Sequence, residues 1–249
     1  MAPVYILGSW GTKSMQPLYE GKAKRLYTTQ DQDVLRIVYK DEATAFNGEK
    51  KAEFAGKGEL NNRLTSHFFE VLAAAGIPTH FIERTSEREQ LVRRVTIIPL
   101  EVVVRNVVAG SLSKRLGIEE GTVLETPIVE FYYKDDSLGD PLVTPAHINL
   151  LKIATTEELS LLEQEAHRVN DVLRPYFDEK GITLIDFKLE YGKTPAGEIL
   201  LADEISPDTC RLWDKETGEH LDKDVFRRNI GSLIDTYQTL FNRLGGNGQ

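Results

Sequence analysis

Residues 184–214 read LIDFKLEYGKTPAGEILLADEISPDTCRLWD, a strand, a turn and a second strand running into a charged loop. Period-two alternation sets Asp186, Lys188 and Glu190 on one face of the first strand and Phe187, Leu189 and Tyr191 on the other. Taken alone, a DxKxE face also describes a half-exposed strand with a solvated side. The returning strand argues for more. After Gly192 to Gly197 the chain runs through Ile199 to Ala202, nearly all apolar, and delivers Asp203 and Glu204 at its end. A short hairpin brings Asp203 within a few strand positions of Glu190, although a loop of ambiguous length leaves the register open. Two carboxylates and a lysine converge. Magnesium takes one or two carboxylates plus phosphate oxygens, and a lysine offsets phosphate charge, so this face suits a Mg²⁺-nucleotide.

The rest of the chain bounds that idea. Its 249 residues, 41% hydrophobic and 28% charged, are enough for one large or two small domains. A net charge of −9 argues against a general nucleic-acid binder while leaving room for a local basic pocket. The single cysteine, Cys210, excludes an intramolecular disulfide framework and fits a reducing, cytoplasmic compartment. No apolar run is long enough to span a membrane. Residues 1–17 make a poor signal peptide and read as an N-terminal extension.

From Leu18 the text LYEGKAKRLYTTQDQDVLRIVYKDEATAF predicts an antiparallel sheet turning at Thr29 to Asp33. Gly21 interrupts the first strand, and Lys22 and Lys24 share a face just after it. That pattern suits a cover over phosphates or a solvated basic edge. Leu60, Leu64, Phe68 and Leu72 predict a helix from Lys57 to Ala75, stopped by Gly76 with Pro78 beyond. Strands are expected around Thr79–Arg84, Gln90–Val95 and, after Pro99, Glu101–Arg105. Ser111 is then placed to cap a short helix ended by Gly117, with Arg105, Lys114 and Arg115 about its N-terminus as a possible anion site. FYYKDDSLGDPLVTP, residues 131–145, reads as a functional loop. Thr155 and Glu158 have capping-box spacing ahead of a long amphipathic helix to Gly181, bent or closed by Pro175. A last helix is expected over Asp224–Leu244, with Phe226, Ile230, Leu233, Tyr237 and Leu240 inward.

Other chemistries lack their residues. The five histidines make no zinc-ligand spacing. Cys210, beside Arg211, reads more readily as packing than as a nucleophile. There is no G-x-S-x-G and no P-loop. A nucleotide would have to be held from a sheet.

Six blocks, LYEGKAKRLY, AGKGELNN, IIPLEVVVRNVVAGSLSKRLG, KDDSLGDP, LIDFKLEYG and LADEISPDTCRLWDKET, occur in the order of the SAICAR synthetase family, and the chain from Leu18 onward resembles that family. The resemblance implies an α+β, two-lobed fold. An N-terminal antiparallel sheet lobe, residues 18–97, similar to a protein-kinase small lobe, would sit over a larger α+β lobe, residues 98–249. It implies an ATP-dependent ligase joining the carboxylate of a carboxyaminoimidazole ribonucleotide (CAIR) to the amine of L-aspartate through a carboxyl phosphate, with release of ADP and phosphate. Lys22, Lys24 and Lys188 would meet the ATP phosphates, Arg93 to Val95 the adenine, and Glu190 with Asp203 would hold Mg²⁺. Arg105, Ser111, Arg211 and Lys114 would bind the ribonucleotide phosphate. Lys134 and Asp140 would close over aspartate or the imidazole. A homodimer is the implied assembly. A kinase-like phosphotransferase would use the same lysine and carboxylates but lacks HRD and DFG, and a nucleotide-binding regulator would not need Glu190 or Asp203.

Overall fold

Strand β11 (Ile182–Lys193) is paired along both edges in the computed structural model, which describes residues 16–45 and 48–246. One edge takes β8 (Thr96–Val107). The other takes β13 (Cys210–Asp214) along Ile182–Phe187 and then β12 (Ile199–Ala202) along Glu190–Lys193. Between those two pairings the connection 203–209 leaves the sheet, with the Lys188 amide bonded to the Thr209 carbonyl at 2.9 Å. The register sets Glu190 opposite Ala202, so Asp203 falls one residue past the pair, as the hairpin reading required. Beyond β8 lie β9 (Val123–Tyr133) and β10 (Leu142–Val143), completing a six-stranded sheet.

A second sheet, five-stranded and wholly antiparallel, has the order β1-β2-β3-β7-β6. Its members are β1 (Pro17–Glu20), β2 (Lys24–Thr28), β3 (Val34–Tyr39), β6 (Phe81–Arg84) and β7 (Glu89–Arg93). The extension expected over 1–17 lies outside the described residues save Gln16 and Pro17, and Pro17 already opens β1. Helix α1 (Lys57–Ala74) follows a small hairpin of β4 (Glu42–Ala45) and β5 (Lys50–Glu53). Its Leu64, Phe68, Phe69 and Leu72 join the main core with Leu162, Ala166, Val169, Leu173 and Phe177 of α4 (Thr156–Asp178). The expected capping box is made, Thr155 accepting from the Glu158 amide and Glu158 from the Thr155 amide. Pro175 sits in the last turn, where its missing N–H leaves the carbonyl four residues earlier without an intrahelical donor. Thr79 bridges Leu201, tying one sheet's approach to the other's hairpin.

Four expectations are corrected. Residues 131–133 belong to β9, an eleven-residue strand whose alternation is weak because only Phe131 is buried and Pro127 interrupts it beside a register shift. The loop therefore shrinks to the stretch before β10, and helix α3 (Pro145–Leu151) begins where it was expected to end. Pro99 lies within β8 rather than ahead of it. The last helix is two: α5 (Asp224–Arg227) and α6 (Leu233–Arg243). Asn229 adopts a left-handed φ of 55°, and the Ser232 hydroxyl accepts from the Asp235 amide to start α6 afresh, leaving Ile230 56% exposed. Finally, Ser111 is not a cap. Helix α2 (Gly110–Leu116) has Ala109 at that position without a side-chain bond, and Ser111 serves Arg105 instead.

Candidate active site

The charged face of β11 is not solvated. Asp186 and Glu190 are buried, and Lys188 forms part of a wall between two cavities. The larger, about 620 Å³, lies under the five-stranded sheet and is lined by Lys22, Lys24, Arg93, Val95, Lys188, Glu190 and Asp203. Those are the seven residues assigned from the sequence to a nucleotide. Lys134 and Asp140 reach its rim as well.

Its charges are paired across long separations. Lys24 opens β2 and reaches Asp203 Oδ1 at 2.5 Å and Glu204 Oε2 at 3.0 Å. Lys188 lies 2.5 Å from Glu190 Oε1, 3.4 Å from Glu101 Oε1 and 3.5 Å from Asp203 Oδ2. Lys134 adds a second ammonium to Glu190 Oε1 at 2.8 Å. Burial alone would lower the pKa of Lys24, Lys134 and Lys188, yet the facing carboxylates override it and raise all three. Burial would likewise raise Asp203, but Lys24, Lys188 and Lys134 hold it well below the usual carboxylate range. Asp203 also has a left-handed φ of 60°, a conformation that turns its carboxylate off the end of β12. Glu190 Oε2 has no hydrogen-bond partner among the described residues. A buried carboxylate with one oxygen uncommitted, beside Asp203, fits the donor set of a divalent cation.

The smaller cavity, about 480 Å³, is lined by Arg105, Ser111, Asp186, Arg211 and Asp140, and shares Lys22 and Lys188 with the first. Arg105 is 3% exposed. It donates to Glu130 at 2.7 Å, to Asp186 at 2.8 Å, to Ser111 Oγ at 2.9 Å and to the Tyr132 hydroxyl at 3.1 Å. Arg211 reaches the same Asp186 at 3.0 Å and Asp224 at 2.9 Å. One carboxylate thus grips two guanidinium groups and fixes their planes, a geometry suited to an oxyanion. Burial would raise Asp224, but Arg211 and Arg227 pull it down to about 2. Gly110 completes the cradle. Its φ is 55°, and a Cβ there would lie 2.5 Å from Arg211 Nη2.

Across the mouth Lys22 meets Asp136 at 2.7 Å, and Asp140, with φ 48°, accepts from the Asp135 amide at 2.9 Å. Lys114 is not brought in: it is exposed on α2 and lines neither cavity. Asp214, beside Trp213, accepts from the Glu216 and Thr217 amides and pairs with Arg243, so it serves a turn. Cys210 is buried, and burial pushes its thiol up to about 12, as packing requires. Sequence reasoning overlooked the groups that hold the arginines, Glu130 and Tyr132, and gave no role to the third carboxylate, Glu204, which it placed beside Asp203. Asp186 was visible on the charged face, but its partners lie 81 and 25 residues away.

Three comparisons bear on this geometry. A family profile described as SAICAR synthetase matches residues 17–244. A phosphoribosylaminoimidazole-succinocarboxamide synthase of Exiguobacterium sibiricum is 99% identical over 235 residues, covering 94% of this chain and 100% of that protein. One from Bacillus subtilis is 66% identical over 229 residues, covering 92% and 95%. Among solved structures, a SAICAR synthetase in complex with ADP superposes with a TM-score of 0.89 at 51% identity, covering 92% of this chain and 97% of that one.

Proposed function

The chain belongs to the SAICAR synthetase family, and from that premise we propose how its own residues serve an ATP-dependent ligation in purine biosynthesis. The reaction joins the carboxylate of CAIR to the amine of L-aspartate, giving SAICAR, ADP and phosphate. A carboxylate is a poor acyl donor because its leaving group would be oxide. Transfer of a phosphoryl group to it supplies a better one.

Lys22, Lys24 and Lys188 would face the nucleotide phosphates, while the backbone of Arg93 to Val95 would border the purine. Glu190 and Asp203 would hold Mg²⁺, which when bound spreads the charge of the transferring group. Arg105, Ser111 and Arg211 would bind the ribonucleotide phosphate, their planes held by Asp186. Lys134 and Asp140 would cover the acceptor and keep water from the activated carboxyl. Lys114, outside both cavities, has no part in this reading. Family membership also supports a homodimeric, cytoplasmic enzyme, without a nucleic-acid partner, divided into lobes near residue 97.

The observation that carries the reading is the common wall: Lys188 lies between a lysine- and carboxylate-lined cavity and an arginine-lined one. A nucleotide in the first cavity and a ribonucleotide in the second would meet at that wall, last phosphate against carboxylate. The test is ADP release from Mg-ATP and CAIR with and without L-aspartate, with the product identified by mass. Aspartate-dependent ADP with a succinocarboxamide product supports it; ADP formed from CAIR alone, without that product, would overturn it in favour of a phosphotransferase.

A further inference from the structure

Lys22, Lys188 and Lys223 are cations on the wall common to the two cavities. Lys22 is neutralised by Asp136 at 2.7 Å and Lys188 by Glu190 at 2.5 Å. Lys223 is not. Its ammonium stands 3.9 Å from Asp208 Oδ2 and makes no hydrogen bond to any described residue, although its side chain is only 11% exposed. Asp208 is already committed, with Oδ2 to Lys57 at 2.6 Å and Oδ1 to the Tyr237 hydroxyl. Two ammonium groups therefore share one carboxylate, and Lys57, wholly buried, holds the nearer place. Burial, with Lys57 and Arg227 beside it, pushes the Lys223 pKa below the usual lysine value, against the pull of Asp208 and Glu204. A buried cation in this condition is stabilised by an anion arriving from the cavity.

The substrates narrow which anion. The nucleotide phosphates have Lys22, Lys24 and Lys188, and the ribonucleotide phosphate has Arg105 and Arg211. L-aspartate brings two carboxylates to the junction. Resting on the ligase reading above, we infer that Lys223 is the subsite for a carboxylate of L-aspartate, and that it favours a dicarboxylic amino acid over one with a single carboxylate.

Lys223→Met keeps the aliphatic stem and removes the charge. The KM for L-aspartate is expected to rise about tenfold or more, with those for Mg-ATP and CAIR within about twofold, and competitive inhibition by succinate to weaken in step. Lys223→Arg is expected to recover part of the loss. An unchanged aspartate KM, or an equal rise for CAIR, would overturn the assignment. A measurement on the wild-type protein avoids dependence on the variant's folding. Succinate, and not propionate at matched concentration, should slow reductive methylation of Lys223 as read by peptide mass; equal protection by both overturns it. If the wild type forms no product, the ligase reading fails and the subsite with it. If the wild type is active and Lys223→Met binds aspartate normally, the subsite alone fails.

Discussion

Glu190 takes two ammonium groups on one oxygen and leaves the other open, so its charge matters more than its shape. Glu190→Gln keeps the shape, and turnover is expected to fall on the order of a hundredfold or more while the near-ultraviolet circular dichroism stays native. Wild-type turnover at matched Mg²⁺ would remove Glu190 from the site. Arg211 is the complementary case, a cation held by Asp186 and Asp224. Arg211→Ala is expected to raise the KM for CAIR about tenfold or more and to leave that for Mg-ATP nearly unchanged, because only one cavity loses its guanidinium. Gly110→Ala approaches the same residue from behind. A Cβ at φ 55° is strained and meets the guanidinium, so the CAIR KM should rise with Arg211 itself intact. Saturation kinetics for the two nucleotides separate these outcomes.

At the scale of elements, the site is built where β11 changes partner. The segment between β12 and β13 is released from the sheet beside Lys188 and carries Asp203, Glu204 and Asp208. Helix α6 fixes that segment from beneath, since the Tyr237 hydroxyl donates to Asp208 and Tyr237 and Leu240 are wholly buried. Tyr237→Phe removes the donor and leaves a buried carboxylate short of one bond, at a cost of about 1–3 kcal/mol in urea unfolding. A stability within experimental error of wild type would mean that α6 holds the segment by packing alone. The stop at Asn229 and restart at Ser232 are what let α5 present Asp224 to Arg211 while α6 turns back onto α1. A continuous helix would follow the apolar stripe, yet would fix the two ends in one line.

At the scale of the molecule, buried carboxylates set the response to acid. Asp224 lies at about 2 folded against an ordinary 3.8, and Asp203 is also depressed. A depressed acid contributes stability above its unfolded pKa and loses it as pH falls through the folded one. The thermal midpoint should therefore drop steeply from about pH 4 towards pH 2, with on the order of 2 kcal/mol from Asp224 alone. Asp222 acts with the opposite sign. Burial and Asp224 raise it to about 7, so its contribution is present below about pH 4 and lost as pH rises towards 7. Melting curves from pH 3 to 8 should show the steep acid limb and a shallow opposing slope; a flat acid limb would mean that these ion pairs are replaced by water. The exposed Lys22–Asp136 pair across the mouth is worth about 0–1 kcal/mol, little enough to yield to an entering nucleotide.

The amino-acid sequence by itself determined whatever rests on spacing. Alternation over residues 184–202 specified the hairpin and its charged face, the four-residue spacing of Leu60 to Leu72 specified α1, and Thr155 with Glu158 specified the start of α4. Every site residue assigned from the sequence, apart from Lys114, lines one or both cavities, while Tyr132, Glu204 and Lys223 went unassigned. Weak alternation hid β9, and the stripe from Phe226 to Leu244 outweighed the local signals of Asn229 and Ser232. Only the tertiary structure decided that the charged face of β11 is buried, that Arg105 and Arg211 share Asp186, and that Lys223 shares Asp208 with the nearer Lys57. The reason is distance along the chain. Lys24 meets Asp203 across 179 residues and Lys22 meets Asp136 across 114, and such pairs form only after sheets and helices have closed around a core that no local pattern describes.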